Sequence, residues 1–422
     1  MKPDACQVAI VGAGPAGLAA AIRLRELGVD DVVLLEREAE AGGIPRHCGH
    51  SPFGLREYRR LLSGPAYAHR LATQARTLGV SLSLGTTVVA LGEHGLLTLS
   101  SDAGERQLQA AAVLLCTGNR EAPRSARLVS GTRPQGIVTT GALQSMVYLK
   151  GHRPFHRPLL VGTELVSFSA LLTCRHAGIR PVMMIEPESR VTAFSLASWL
   201  PRLLGVPLCL NHRLETIHGT TRVEAVDIAD RSGATRRVDC DGVIFSGRFV
   251  AEASLASASH LQLDHRSGGP QVDQYGRCSD PAYFAAGNLL HPVDTAGWCW
   301  AEGRRVAGCI ASALAGEIPP HGHSITVDSA DDLIRYFTPQ RISLPYTASE
   351  SGAMQAAEVQ FQLRFNQACR GQLRLRNGKR TLQVRSLRAR PETRQLLKVP
   401  IATLGMQDRL HFEIDQPTRK TS

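Results

Sequence analysis

The chain has 422 residues, more than one hydrophobic core usually fills, and at about 150 residues per domain it should divide into about two to four domains. A composition of 43% hydrophobic and 20% charged residues excludes a disordered, collagen-like or disulfide-scaffold protein. The formal charge of +11 is concentrated in one stretch: from Arg364 to Lys398 eleven basic residues face one acid, Glu392, a net +10, and the remainder is nearly neutral.

No two of the ten cysteines stand in a C-x-x-C spacing, so the usual signatures of a redox dithiol, a zinc ribbon and an iron–sulfur ligand set are missing, and no metal site is expected. Buried, reduced thiols in a cytoplasmic protein are the better reading. Ala5 to Ile22 carries no charge and is long enough to resemble an anchor, but Gly12, Gly14, Pro15 and Gly17 break it into strand, turn and helix.

In chain order, the apolar run Val8–Val11 leads into G-A-G-P-A-G at 12–17, a helical pattern over Leu18–Leu27, and Val32–Leu35 closed by Glu36. This spacing predicts a βαβ unit with a dinucleotide turn. Gly12 permits the tight turn, Gly14 lets the backbone approach a pyrophosphate, and Gly17 lets helix and sheet pack closely. The helix N-terminus then faces the phosphates, and Glu36, nineteen residues after Gly17, would accept from an adenosine ribose. A purely structural glycine turn would not account for Glu36.

Strand-like runs follow at Leu82–Leu91, Leu96–Leu99 and Ala112–Cys116, the last leading into Thr117-Gly118. A second βαβ pattern starts at Leu159–Gly162, passes through a helix to Ala177-Gly178 and ends at Ile185-Glu186. Tyr283–Asn288 precedes a helix expected from Ala296 to Leu314. Pro319-Pro320-His321-Gly322 reads as a linker, after which Val359, Phe361, Leu363 and Phe365 alternate. Leu373 and Leu375 are expected to face Leu382 and Val384 across an Asn377-Gly378 hairpin turn.

The glycine fingerprint with Glu36, the Gly42-Gly43 pair, the Thr117-Gly118 turn and the late Ala-Ala-Gly-Asn block resemble, in that order, the two-dinucleotide-binding-domain flavoproteins of the glutathione and thioredoxin reductase group, over residues 5 to 315. The stretches GGIPRHCGHSPFG (42–54), GPAYAHRL (64–71), CTGNREAPRSAR (116–127) and AAGNLLHPVDTAGWCWAEGRR (285–305) look like the FAD subunits of bacterial multi-component dehydrogenases. That branch includes flavin subunits of hydrogen cyanide synthase, of opine, proline and hydroxyproline dehydrogenases, and the companion flavoproteins of glycerol-3-phosphate dehydrogenases. The resemblance implies an α/β fold of two Rossmann-like domains plus a small C-terminal β module. An FAD domain in two parts, 1–122 and 247–320, would flank an NAD(P)-binding-like middle domain at 123–246, with a linker and basic β-rich module at 321–422.

By position, the resemblance implies FAD held by Gly12, Gly14, Pro15, Ala16 and Gly17 at the pyrophosphate, with Glu36 and Arg37 at the ribose side. Gly43 would run beside the dinucleotide, Thr117 and Gly118 would close the domain, and Gly287, Asn288 and Ala296 would meet the ribitol and flavin; Arg46 could contact phosphate or flavin, or equally be a solvated loop charge. Asn288 stands where relatives carry an acid, so it can hydrogen-bond but brings no charge. The helix starting near Thr295-Ala296 would aim its positive end at the flavin edge where charge collects on reduction.

The middle turn reads Gly162-Thr163-Glu164-Leu165-Val166-Ser167, and Glu164 places a side chain and a carboxylate where a second pyrophosphate would lie. NAD(P)H binding is therefore disfavoured, and Cys48 has no resolving partner for disulfide exchange. His47, His50 and Trp298 are the candidates for catalysis, a histidine serving as base for the substrate proton. Both histidines could instead only bond backbone. Trp298 and Trp300 should point to different sides of their helix, one of them into the core.

The resulting expectation is an FAD-dependent oxidoreductase, the flavin subunit of a complex that oxidises an amino acid, opine, amine or hydroxy acid and passes electrons to a partner flavoprotein or small iron–sulfur subunit. A self-sufficient NAD(P)H-dependent reductase and a scaffold with structural FAD are the alternatives. The basic β module reads either as a docking face for another subunit or as a solvated sheet face, with no nucleic-acid module recognisable.

Overall fold

The computed structural model describes residues 3–193, 198–319, 324–344, 358–404 and 409–415. The chain divides into two compact units, one of Met1–Gly42, Arg70–Gly118 and Ala251–Ser422, the other of Gly43–His69 and Asn119–Val250. The chain thus leaves and re-enters each unit. Residues 43–69, expected with the first cofactor segment, join the second unit, and the C-terminal module joins the first. Of the expected linker, residues 320–322 lie outside the described residues.

The first unit opens with strand β1 (Asp4–Val11), helix α1 (Pro15–Glu26) and strand β2 (Val32–Leu35), followed by β3 (Ser81–Ser83), β4 (Thr87–Leu91), β5 (Leu96–Ser101) and β6 (Gly104–Leu115). Their order is β3-β2-β1-β6-β5-β4. β1 pairs parallel with β2 and β6, while β4 and β5 add antiparallel edges. The second half of β1, Val8–Val11, is an unbroken apolar run because Val8, Ala9 and Ile10 are wholly buried, as a parallel strand covered on both faces demands. Pro15 begins α1 because its fixed φ suits the first helical position, where its missing N–H has no intrahelical role.

In the second unit, strands β7 (Ile137–Thr139), β8 (Pro158–Val161), β9 (Met183–Glu186), β10 (Leu208–Leu210) and β11 (Gly242–Phe245) form a parallel sheet in the order β10-β9-β8-β11-β7. Helix α2 (Leu165–His176) follows β8, so this unit repeats the βαβ plan of the first. A separate sheet adds Arg213–His218, Ala225–Ala229 and Thr235–Asp239.

Back in the first unit, strand β12 (Tyr283–Ala285) lies parallel to β6, and helix α3 (Ala296–Leu314) has the bounds expected from the sequence. α3 crosses α1 closely: a Cβ on Gly303 would sit 2.1 Å from the carbonyl oxygen of Ala16. Small residues therefore set the distance between the two helices.

The C-terminal module contains β13 (Ser324–Asp328), β14 (Ile334–Thr338), β15 (Arg341–Ser343), β16 (Glu358–Phe365), β17 (Cys369–Asn377), β18 (Arg380–Ala389), β19 (Gln395–Pro400) and β20 (Arg409–Asp415). They form sheets β15-β13-β20-β17-β18 and β14-β16-β19 around Phe337, Phe361, Phe365 and Phe412. The hairpin of β17 and β18 exists, but its register departs from expectation. Leu375 pairs with Gln383 and Leu373 with Arg385, because a bulge falls between Leu375 and Arg376. Asn377 is the last paired residue, its side-chain amide donating to the carbonyl of Leu404 at 2.8 Å, and Val384 is left half-exposed.

Candidate functional site

The glycine turn of the first unit is built from backbone. Gly12 takes φ +103°, and a Cβ there would lie 2.5 Å from the carbonyl oxygen of Cys116, so only glycine fits. A Cβ on Gly17 would stand 2.0 Å from the oxygen of Gly12, so α1 rests directly on the turn. Gly14 is different: it is extended at φ −77°, ψ −175°, and a Cβ there meets no protein atom within 4 Å. The protein's own packing does not require glycine at that point. An open cradle at the N-terminus of α1, with the N–H groups of Ala16 and Gly17 in its first turn, is what a pyrophosphate needs.

Glu36 directly follows β2 and is buried. Its carboxylate accepts from the N–H of Ala13 at 2.8 Å and of Glu38 at 3.0 Å, which ties the acid to the glycine turn and orients it. Gly42 also joins the turn, its N–H donating to the carbonyl of Ala13 at 2.8 Å. The Arg37 side chain is exposed and 3.9 Å from Glu38. Thr117 donates its hydroxyl to the carbonyl of Glu252 at 2.7 Å, and Gly118 accepts from the Glu252 N–H at 2.9 Å.

The later motif is organised by two side chains, the acid Glu302 and the amide Asn288. Glu302 accepts from the N–H of Gly287 at 2.7 Å and pairs with His291 at 3.0 Å. Burial opposes charge on both, but each charge supports the other: the Glu302 carboxylate raises the His291 pKa, and His291 with Arg305 and the Gly287 N–H lowers that of Glu302. Asn288 turns its amide onto Asp294, donating to its carbonyl and accepting from its N–H, both at 3.0 Å. Thr295 is the N-cap of α3, and Ala296 begins the helix.

Trp298 is only partly buried, with the Arg394 guanidinium stacked over its ring, and Trp300 is likewise partly buried under Arg304. The expectation that one tryptophan enters the core is corrected. α3 buries Cys299, Gly303, Val306, Ala307 and Ile310 toward its neighbours, and both indoles fall outside that stripe.

Gly43, Arg46, His47, Cys48 and His50 belong to the second unit. Ile44–His47 is one short 3-10 turn. His50 donates Nδ1–H to the carbonyl of Ser51 at 3.1 Å and packs on Phe53. A carbonyl can only accept, so Nδ1 is the donor in this bond. Cys48 is buried, its thiol directed to the carbonyl of Ile44 and the side-chain oxygen of Gln144, and burial pushes its pKa up to about 12. It is a packed cysteine, and all ten cysteines are free.

The second glycine turn departs from the first at Glu164. Glu164 is the N-cap of α2, but its side chain does not cap the helix; it accepts from the N–H of Arg248 at 2.8 Å and lies against Gly247, where a Cβ would be 2.2 Å from its carboxyl carbon. Glu186, the last residue of β9 and the counterpart of Glu36 just after β2, is enclosed by the hydroxyls of Thr163 and Thr192. Burial raises its pKa. No local pattern in the sequence signals that enclosure or the Asp294 and His291 contacts, because their partners lie away along the chain. No group of three or more histidine, cysteine, aspartate or glutamate residues could hold a metal among the described residues, and no described helix is long and apolar enough to cross a membrane.

The model of the pyridine nucleotide-disulphide oxidoreductase family matches residues 6–303. The chain belongs to that family of oxidoreductases. Members of the pyridine nucleotide-disulphide oxidoreductase family typically bind FAD, and the open turn at Gly14 with the oriented Glu36 fits that cofactor. Among curated relatives, an opine oxidase subunit of Agrobacterium tumefaciens (strain Ach5) is 23% identical over 352 residues, which are 74% of this chain and 65% of that relative. The chain therefore spans under two thirds of that relative's length. Thioredoxin reductase of T. acidophilum shares the fold at a TM-score of 0.63 and 21% identity, covering 74% of this chain and 99% of that one. L-proline dehydrogenase of P. horikoshii does so at 0.54 and 16%, covering 75% and 57%.

Proposed function

We propose that this family member is the FAD-binding subunit of a multi-component dehydrogenase acting on an amino acid, opine, amine or hydroxy acid. The observation that carries the reading is the contrast between its two glycine turns. The first is open at Gly14, whereas the second has a carboxylate at the matching position, hydrogen-bonded across the helix entrance to Arg248. A second anion there would meet like charge and lost space. The distant likeness to the opine oxidase relative supports a substrate carrying a CH–NH group.

When bound, FAD supplies the two-electron acceptor for the hydride that leaves the substrate carbon. Gly14 and the first turn of α1 would bind the pyrophosphate, and Glu36 the adenosine ribose. His50 is the candidate base for the substrate nitrogen or oxygen proton, its ring held in orientation by the Nδ1 bond to the Ser51 carbonyl. A partner flavoprotein, an iron–sulfur protein or a dye would serve as the two-electron acceptor, and the substrate proton would be passed to solvent. Cys48 takes no part, since its thiol stays protonated.

The test is anaerobic mixing of the yellow protein, with and without its partner subunits, against opines, amino acids and NADH. Bleaching of the flavin band by an opine or amino acid, and none by NADH at turnover rates, is expected. Rapid bleaching by NADH or NADPH would refute it in favour of a self-sufficient reductase.

A further inference from the structure

We infer that the C-terminal β module is part of the cofactor site, acting as an electrostatic clamp on the N-terminal end of helix α3. The inference rests on the FAD reading above and goes beyond it by assigning a task to the module and to three of its side chains.

The clamp closes on Asp294, one residue before the N-cap Thr295. Its carboxylate receives the Arg364 guanidinium and the amide of Gln362 at 2.9 Å, both from β16, and Arg394 approaches to 3.6 Å from just before β19. The Arg364 and Asp294 side chains are each 5% exposed, so this pair is taken out of water. Arg394 also covers the Trp298 ring, in the first turn of α3. From the other side, the main chain of Asp294 holds the Asn288 amide. One carboxylate thus joins the module, the late glycine motif and the start of the helix.

Charge explains why two arginines are needed. An isolated carboxylate beside a helix N-terminus would offset the positive end of the helix dipole. With two guanidinium groups on it, the local sum is one net positive charge, and the end of α3 keeps its pull on negative charge. Desolvating a single acid and arginine is rarely a gain in stability, which makes a positioning role the better account of this arrangement. Arg364 and Arg394 accordingly leave the pool of basic residues available for docking. Arg374 and Arg376 are engaged with Asp415 and Glu413 within the module.

The experiment is potentiometric titration of bound flavin in the full chain, with wild type, Arg394→Gln, Arg394→Lys and Arg374→Gln. Loss of one positive charge at Arg394 should shift the oxidised-to-reduced ratio at fixed potential roughly twofold to thirtyfold toward oxidised, the span of one charge at a helix end. Arg394→Lys should restore most of the shift, and Arg374→Gln should leave the ratio alone. Arg394 is preferred over Arg364 because its partial exposure makes folding of the variant tolerant. A folded Arg394→Gln protein with the wild-type midpoint, or a lysine variant no better than glutamine, overturns the clamp while leaving the cofactor reading intact. A wild-type chain that takes up no FAD overturns both.

Discussion

Replacing Gly14 by valine should separate cofactor binding from folding. The backbone at Gly14 is extended and precedes Pro15, a conformation that β-branched residues adopt readily, and its Cβ would meet no protein atom within 4 Å. The loss of a glycine N-cap costs about 0.5–1 kcal/mol, so the melting temperature should fall by roughly a few degrees at most. The ligand meets a different situation, because the added methyl groups occupy the space where the pyrophosphate must touch the turn. A hundredfold loss of affinity, about 3 kcal/mol, is the expected scale. The companion variant Gly17→Ala should behave in the opposite way: its Cβ would lie 2.0 Å from the Gly12 oxygen, an overlap with rigid backbone that destabilises the fold by about 1–3 kcal/mol or more. Flavin absorbance per chain after gel filtration, measured beside a thermal melt, reads both quantities. A Gly14→Val protein that keeps a full complement of FAD would refute the placement of the pyrophosphate.

Cys48, with its pKa pushed up to about 12 by burial, should resist iodoacetamide at pH 8 in the native protein, and Cys48→Ser should retain flavin reduction; rapid labelling at that position would contradict the packing. The His291–Glu302 pair makes stability depend on pH in a defined sense. His291 has a raised folded pKa, so its contribution is complete below its ordinary 6.5 and fades as pH climbs through the raised value; Glu302 has a lowered one, so its contribution holds above 4.5 and fades as pH falls through the lowered value. Glu302→Gln should therefore destabilise by about 3 kcal/mol near pH 5.5 and by less at pH 9, and equal differences in melting at both pH values would be inconsistent with the pair. Glu164→Ala should release the N–H of Arg248 and admit weak NADH binding, measurable by quenching of nicotinamide fluorescence; no gain over wild type would show that the turn is closed by more than this one carboxylate.

Much of the first βαβ unit is legible in the residues themselves. Its signals are local: glycines within six residues, an apolar strand on each side and Glu36 at the end of the second. Sheet sterics constrain those elements so tightly that few other folds accommodate the pattern. The same holds for α3, whose bounds follow from unbroken helical periodicity after Thr295. The hairpin turn at Asn377-Gly378 is also legible, but its register is not, because one bulge moves every partner by a residue and no local residue type announces it.

What the chain alone determined is therefore the family plan of two glycine turns, one with room at its second glycine position and one with Glu164 there. What only the tertiary structure decided is where side chains from distant segments meet. Asn288 bonds Asp294 and Glu302 bonds Gly287, pairings that depend on how the loop before α3 folds back. Arg364 and Arg394 look like two more charges in a basic tail, yet burial against Asp294 makes them internal counter-ions. Composition reports the sign of a charge, whereas its energetic role depends on the dielectric and the partner that folding places around it.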